Sequence, residues 1–244
     1  MIAGLRRRRA EEVTGEQLSW AWQSASLLLD YPGEELADRL GLVARAVAEL
    51  PPRLAVPLEE TRARLAATPL ADLQADYVDT FDSRRRHNLF LTYFAHGDTR
   101  KRGMALLRFK QAYRESGVEL GDDGELAGGE LPDHLCVVLE YAATVDRERG
   151  RTLLLDHRAG LEVLRLSLAE RGSRWAGAVQ AVTATLPPLG GDEVEAIRRL
   201  AAEGPPAEEV GLTPYATPGF DPGPAAPVAS GPTPLPMPSF PGAR

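Results

Sequence analysis

The sequence predicts an all-α protein, a single helical-bundle domain followed by a proline-rich tail. Apolar residues recur at helical spacing in nearly every long segment before Gly204, and no run alternates apolar with polar residues as a half-buried strand would. Of the 20 prolines, 12 fall in the last 41 residues, where the apolar period also vanishes. The expected organisation is a flexible basic N-terminus over residues 1–12, a helical domain over 13–203 and a disordered tail over 204–244.

The first helix shows Leu18, Ala21, Trp22, Ala25, Leu28 and Leu29 on one face, behind a capping box from Thr14 to Gln17. Leu36, Leu40, Val43, Val47 and Leu50 form a second buried stripe. Thr68 as N-cap and Pro69 at the first helical position are expected to open a helix carrying Leu70, Leu73, Tyr77 and Phe81 on one face. Pro132 is expected to open another in the same way, with Leu135, Val138, Leu139 and Ala142 turned inward. Leu154, His157, Leu161, Leu164 and Leu168 read as one continuous stripe, and Trp175, Val179, Val182 and Leu186 mark a later helix. About eight to ten helices follow, joined by short loops such as residues 121–130.

Composition narrows the chemistry. With 244 residues, 43% of them hydrophobic, the chain can bury a sizeable core. A single cysteine cannot form an internal disulfide or fill a structural zinc site, so neither staple is expected and a reducing compartment fits. The net charge of -7 opposes generic nucleic-acid binding and suits a basic partner. No apolar stretch follows Arg6 to Arg9 as a secretion signal requires, and the uncharged run from Pro222 to Ala243 is too rich in proline and glycine to cross a bilayer as a helix. A cytoplasmic protein without stable membrane insertion is expected.

Catalytic signatures are missing: there is no phosphate-binding glycine loop, no nucleotide fingerprint, no nucleophile elbow and no zinc helix. Asp133, His134 and Cys136 lie close in sequence, but on a helix His134 and Cys136 project about 200° apart and cannot share an ion, so no cofactor or metal is expected. Two charge features stand out. Asp72, Asp76 and Asp79 form an acidic strip beside Tyr77 and Phe81, read either as a solvated face or as a seat for arginines. Residues 83–110 hold eight Lys and Arg against Asp98 alone, a basic face inside an acidic protein.

The order of segments carries a family resemblance. Leu-Asp-Tyr-Pro at 29–32, YVDTFD at 77–82, NLFLTYFAHGDTRKRGMALLRFKQAYRESG at 88–117 and ELPDHLCVVLEYAA at 130–143 resemble the nitrate reductase molybdenum cofactor assembly chaperones, the NarJ-type branch of the TorD-like redox chaperones. The similarity covers roughly residues 16–200. It departs at Cys136, where the pattern has a proline, and in the tail, which lies outside it.

The resemblance implies an all-helical domain that performs no chemistry. It would bind the N-terminal segment of the nitrate reductase catalytic subunit and hold that apoenzyme open until molybdopterin guanine dinucleotide is inserted. Molybdenum cofactor biosynthesis proteins are the further partners it suggests, and a helical scaffold for another redox enzyme subunit is the alternative reading. A basic amphipathic client helix needs an apolar groove with an acidic rim. Tyr77, Phe81, Leu89 and Tyr93 are the expected floor, and Asp76, Asp79, Asp82, Asp98 and Glu140 the expected rim. Arg100, Arg102, Asp133 and His134 match the family blocks in place and complete the expected client-binding set; Asp82 and Asp98 are equally readable as helix caps and Pro132 as a helix start.

Overall fold

The computed structural model describes residues 13–119 and 130–206. The basic N-terminus, most of the expected loop at 121–130 and nearly all of the tail lie outside the described residues. Eleven α-helices are present among those described: α1 (Gly15–Leu29), α2 (Leu36–Val47), α3 (Pro52–Ala66), α4 (Leu70–Tyr77), α5 (Leu91–His96), α6 (Arg100–Glu115), α7 (Leu135–Thr144), α8 (Arg147–Asp156), α9 (Arg158–Arg171), α10 (Ala176–Ala184) and α11 (Gly191–Glu203). No strand occurs among these residues; an isolated antiparallel bridge joins Phe90 to His134.

α1 begins where its capping box predicts. The Gln17 amide donates to Thr14 Oγ1 at 3.2 Å, and the Gln17 side chain accepts from the Thr14 amide at 3.1 Å. This helix is the hub, packing on α7, α2, α10 and α3. Its Trp22 is fully buried, and the indole N–H is satisfied by Thr185 Oγ1 at 2.9 Å, so burying the ring leaves no orphan donor. α10 lies on α3 closely enough that a Cβ at Gly177 would stand 2.2 Å from the Pro57 carbonyl oxygen.

Several expected boundaries move, because competing contacts, some within a turn and some from distant segments, outrank the expected signal. Thr68 does not cap α4: its hydroxyl donates back to Arg64 O at 2.8 Å and closes α3, leaving Pro69 at the N-cap. Pro132 does not start α7. The amide of Leu91 donates to Asp133 O at 3.0 Å and that of Leu135 to Leu89 O at 2.8 Å, so the backbone here is committed to the bridge and the helix begins only at Leu135. The stripe from Leu154 to Leu168 keeps its buried leucines but is broken at His157, because α8 lies on α7 while α9 lies on α10 and α11. That split and the six-residue α5, too short to show a period, take the count past the expected eight to ten.

α4 does not run on to Phe81 as an α-helix. Val78–Asp82 form a π-helix, whose wider turn rotates the residues that follow Tyr77. His87, buried in the 3₁₀ turn Arg85–His87, contacts Thr80 O through Nδ1 at 3.0 Å and ties the π segment to that turn.

Candidate functional site

The blocks that carry the family resemblance are far apart in the chain and meet around α1 and α7. The Tyr77 hydroxyl donates to Leu29 O at 3.0 Å, and Gln74 Nε2 donates to Pro32 O at 3.1 Å. Ser26 Oγ donates to Cys136 O at 2.9 Å, fastening α1 to α7 across 110 residues of sequence. Tyr77 packs edge-on against Tyr31 at 5.4 Å and Trp175 at 5.5 Å, with Phe81 4.7 Å away. These rings fill the interior: Tyr77, Phe81, Leu89 and Tyr93 are 7%, 6%, 4% and 5% exposed. None of the four forms an open floor in this conformation. Burial pushes the Tyr77 phenol pKa up.

A second group of expected residues forms a polar junction between α5, α6 and the start of α7. Asp133 is wholly buried and accepts from the Thr92 amide at 3.2 Å and from Thr92 Oγ1. Arg102 Nε donates to Thr92 Oγ1 at 3.2 Å, its guanidinium lies 5.1 Å from the Phe90 ring centroid, and Nη2 stands 3.7 Å from Asp133. Asp98 caps no helix; exposed, it lies 3.8 Å from Arg102. Arg100 is exposed on the first turn of α6. His134 packs edge-on against Phe90 at 5.2 Å, and burial lowers its pKa, which keeps the ring neutral near pH 7. Arg85 Nε donates to the Tyr93 hydroxyl at 2.8 Å, drawing the basic turn toward the same junction.

Open surface lies beside this junction along α7, facing α1 on one side and the end of α6 on the other. One hollow of about 210 Å³ is lined by Gln23, Ser26, Asp30, Arg39, Cys136 and Glu140; a second of about 300 Å³ by Tyr113, Val118, Val137, Tyr141 and Val145; Glu130, Val137 and Glu140 border both. The result is a groove with an apolar strip and carboxylates along its edge. Glu130 has its pKa raised by partial burial, with the neighbouring charges of Asp30 and Glu140 adding to the effect. Gln23 Oε1 is buried with no donor among the described residues. Among the described residues the cation lining the hollow is Arg39, 2.6 Å from Asp30 and 2.5 Å from Glu35.

Of the expected set, therefore, Glu140 borders the groove, while Asp82 is exposed at the end of the π-helix close enough to raise the Tyr77 pKa. Asp30, Glu130, Gln23 and Arg39 were not singled out from sequence, although Asp30 and Glu130 lie inside the blocks quoted above and could have been. The seat for arginines read at Asp76 and Asp79 is filled from within: Arg174 pairs with Asp76, and Arg171 with Asp79. Among the described residues no group of three or more His, Cys, Asp or Glu could hold a metal, and no helix is long and apolar enough to cross a membrane. Burial holds the Cys136 thiol well above its ordinary pKa, so it is protonated and unreactive.

Comparison with known proteins places this arrangement. The nitrate reductase-like protein NarX of Mycobacterium tuberculosis is 40% identical over 172 residues, 70% of this chain, although the chain spans only 25% of that relative's length. The probable nitrate reductase molybdenum cofactor assembly chaperone NarJ of Bacillus subtilis is 29% identical over 181 residues, covering 72% of this chain and 92% of the relative. The NarJ chaperone of Escherichia coli is 32% identical over 154 residues, 62% and 63% of the two chains. The model of the nitrate reductase delta subunit family matches residues 44–181, a stretch that takes in the π-helix, the polar junction and the α7 side of the groove. By that match over more than half its length, the chain belongs to the nitrate reductase delta subunit family.

Proposed function

We propose that this protein is an assembly chaperone for a nitrate reductase, working in the cytoplasm and performing no reaction of its own. It binds the N-terminal segment of the catalytic subunit and holds the apoenzyme competent for insertion of the molybdenum cofactor before membrane attachment. The observation that carries the reading is the family match over residues 44–181, together with the chain's similarity to relatives named as molybdenum cofactor assembly chaperones. The groove between α1 and α7 supports it chemically. An amphipathic basic segment can lay its apolar side chains on Val137, Tyr141 and Val145 while Asp30, Glu130 and Glu140 receive its cations. In this arrangement Glu140 contacts the client, Tyr77, Phe81, Leu89 and Tyr93 hold the groove walls in place, and Arg102, Asp133 and His134 fix the start of α7. Molybdenum cofactor biosynthesis proteins are further partners on this reading.

Calorimetric titration of the full chain with a synthetic peptide from the catalytic subunit's N-terminus tests the proposal. Binding is expected, weakening as salt rises, because attraction between exposed unlike charges is screened over about 8–10 Å at ordinary ionic strength. Glu140→Gln should weaken it by about 0.5–1 kcal/mol, the scale of a solvent-exposed ion pair. A peptide that does not bind at either salt concentration would refute the client assignment.

A further inference from the structure

Arg39 occupies the groove in a way the chaperone reading does not require. It is rooted in α2, yet its guanidinium lines the hollow between α1 and α7, among the acceptors Asp30, Glu130, Glu140 and the orphaned Gln23 Oε1. Nη1 lies 2.6 Å from Asp30 Oδ2 and donates to Tyr31 O at 3.2 Å, while Nη2 lies 2.5 Å from Glu35 Oε1. The Arg39 side chain is 19% exposed, against 36% for Asp30 and 53% for Glu35. One hand of the fork is therefore turned into the groove and the other rests on a carboxylate at its outer edge.

We infer that the Asp30 carboxylate is a guanidinium-binding subsite, and that Arg39 is its resident occupant, which an arginine or lysine of the client must displace. The inference rests on the proposed function for the client and adds how the groove selects it. An occupied subsite shows by its own contacts what it accepts: a planar cation with one edge on a carboxylate and a backbone carbonyl. Glu35, one helical turn before Arg39, keeps the displaced guanidinium paired in either position, so the exchange leaves no buried charge uncompensated. Arg39 also cancels one of the three negative charges that line this hollow. A segment with a single cation gains little by replacing it, whereas one with several cations also engages Glu130 and Glu140. Arg39 thus sets a threshold of positive charge, a form of selection against weakly basic segments.

The test compares full-length wild type, Arg39→Ala, Arg39→Gln and Asp30→Asn in calorimetric titration. The probes are the N-terminal peptide of the catalytic subunit and versions of it with basic residues replaced one at a time by Gln. Arg39→Ala is expected to bind the native peptide about three- to tenfold more tightly and to lose part of the wild type's penalty for each replaced cation. Asp30→Asn should abolish that gain when combined with Arg39→Ala, because the subsite itself is gone. Arg39→Gln, which keeps a donor for Tyr31 O, guards against a folding defect, and a melting curve accompanies each variant. Wild type that binds, with folded Arg39 variants binding equally or more weakly, overturns this inference and leaves the client assignment standing. No binding by any of the proteins overturns both.

Discussion

At the scale of single residues, burial decides what an aromatic does. Tyr77 and Phe81 carry the period of an exposed binding stripe as well as that of a core face, and nothing within the YVDTFD string separates the two. The structure surrounds Phe81 with Tyr77 at 4.7 Å and Trp175 at 5.4 Å and leaves it 6% exposed. Phe81→Ala should accordingly cost ~3–5 kcal/mol of folding free energy through the cavity it leaves. Urea unfolding measures that cost. A loss below about 1 kcal/mol together with weakened peptide binding would return Phe81 to the groove floor. Gly97 shows the same dependence on surroundings. Its φ of 57° and ψ of -149° form a backbone region nearly reserved for glycine, and a Cβ there would stand 1.8 Å from the carbonyl oxygen of Pro206. The sequence shows a glycine in FAHGDT; only the fold shows that a residue more than a hundred positions later rests on it.

At the scale of elements, the junction of α5, α6 and α7 explains why a proline failed to mark a helix start. Extended backbone at 89–91 pairs with 133–135, and Asp133 reads the amide and hydroxyl of Thr92 while Arg102 spans the gap. A buried carboxylate in such a place stabilises only while its partners remain, because an unpaired polar group in the interior costs its full desolvation. Asp133→Ala leaves Thr92 without its acceptor and Arg102 without its ion-pair partner and should cost about 2–4 kcal/mol. Hydrogen exchange offers the sharper readout: the amides of Leu91 and Leu135 should exchange faster, while those of α10, which packs on α3, α9 and α1, should accelerate only as much as the loss of overall stability dictates. Equal acceleration at all of these sites would mean that Asp133 supports the whole bundle and not this junction.

At the scale of the whole molecule, charge is divided between two surfaces. The groove beside α7 gathers carboxylates from three chain segments, while residues 83–110 leave Arg84, Arg86 and Lys101 exposed. The body's chain ends matter less. α11 packs on α9, and the last described residue, Pro206, seats its carbonyl over Gly97, so removing everything beyond the expected domain end at residue 203 would remove a contact. Ending the chain after Pro206 should shift the melting temperature by no more than about 2 °C, since the residues removed show no apolar period to bury. A drop above about 5 °C would show that the tail contributes to the packed domain.

Local spacing alone determined a good deal about this protein. The period of α1 and its capping box, the inward faces of α7 and α10, and the strings at 77–82, 88–117 and 130–143 were all legible, because helix amphipathicity and short motifs are properties of neighbouring residues. Other features were decided only by the tertiary structure. Where α7 begins, why Val78–Asp82 widen into a π-helix, and which aromatics are sealed from solvent depend on elements that pack from elsewhere in the chain. The acidic strip at Asp76 and Asp79 illustrates the limit. Its chemistry as a seat for arginines was readable, but its occupants, Arg171 and Arg174, come from more than ninety residues away. The groove has the same origin, with Asp30 from the end of α1 and Glu140 from α7 brought together. Periodicity names the face that must be covered; which element covers it, and which charges are left facing a hollow, is settled by packing between distant segments, where local sequence carries no signal.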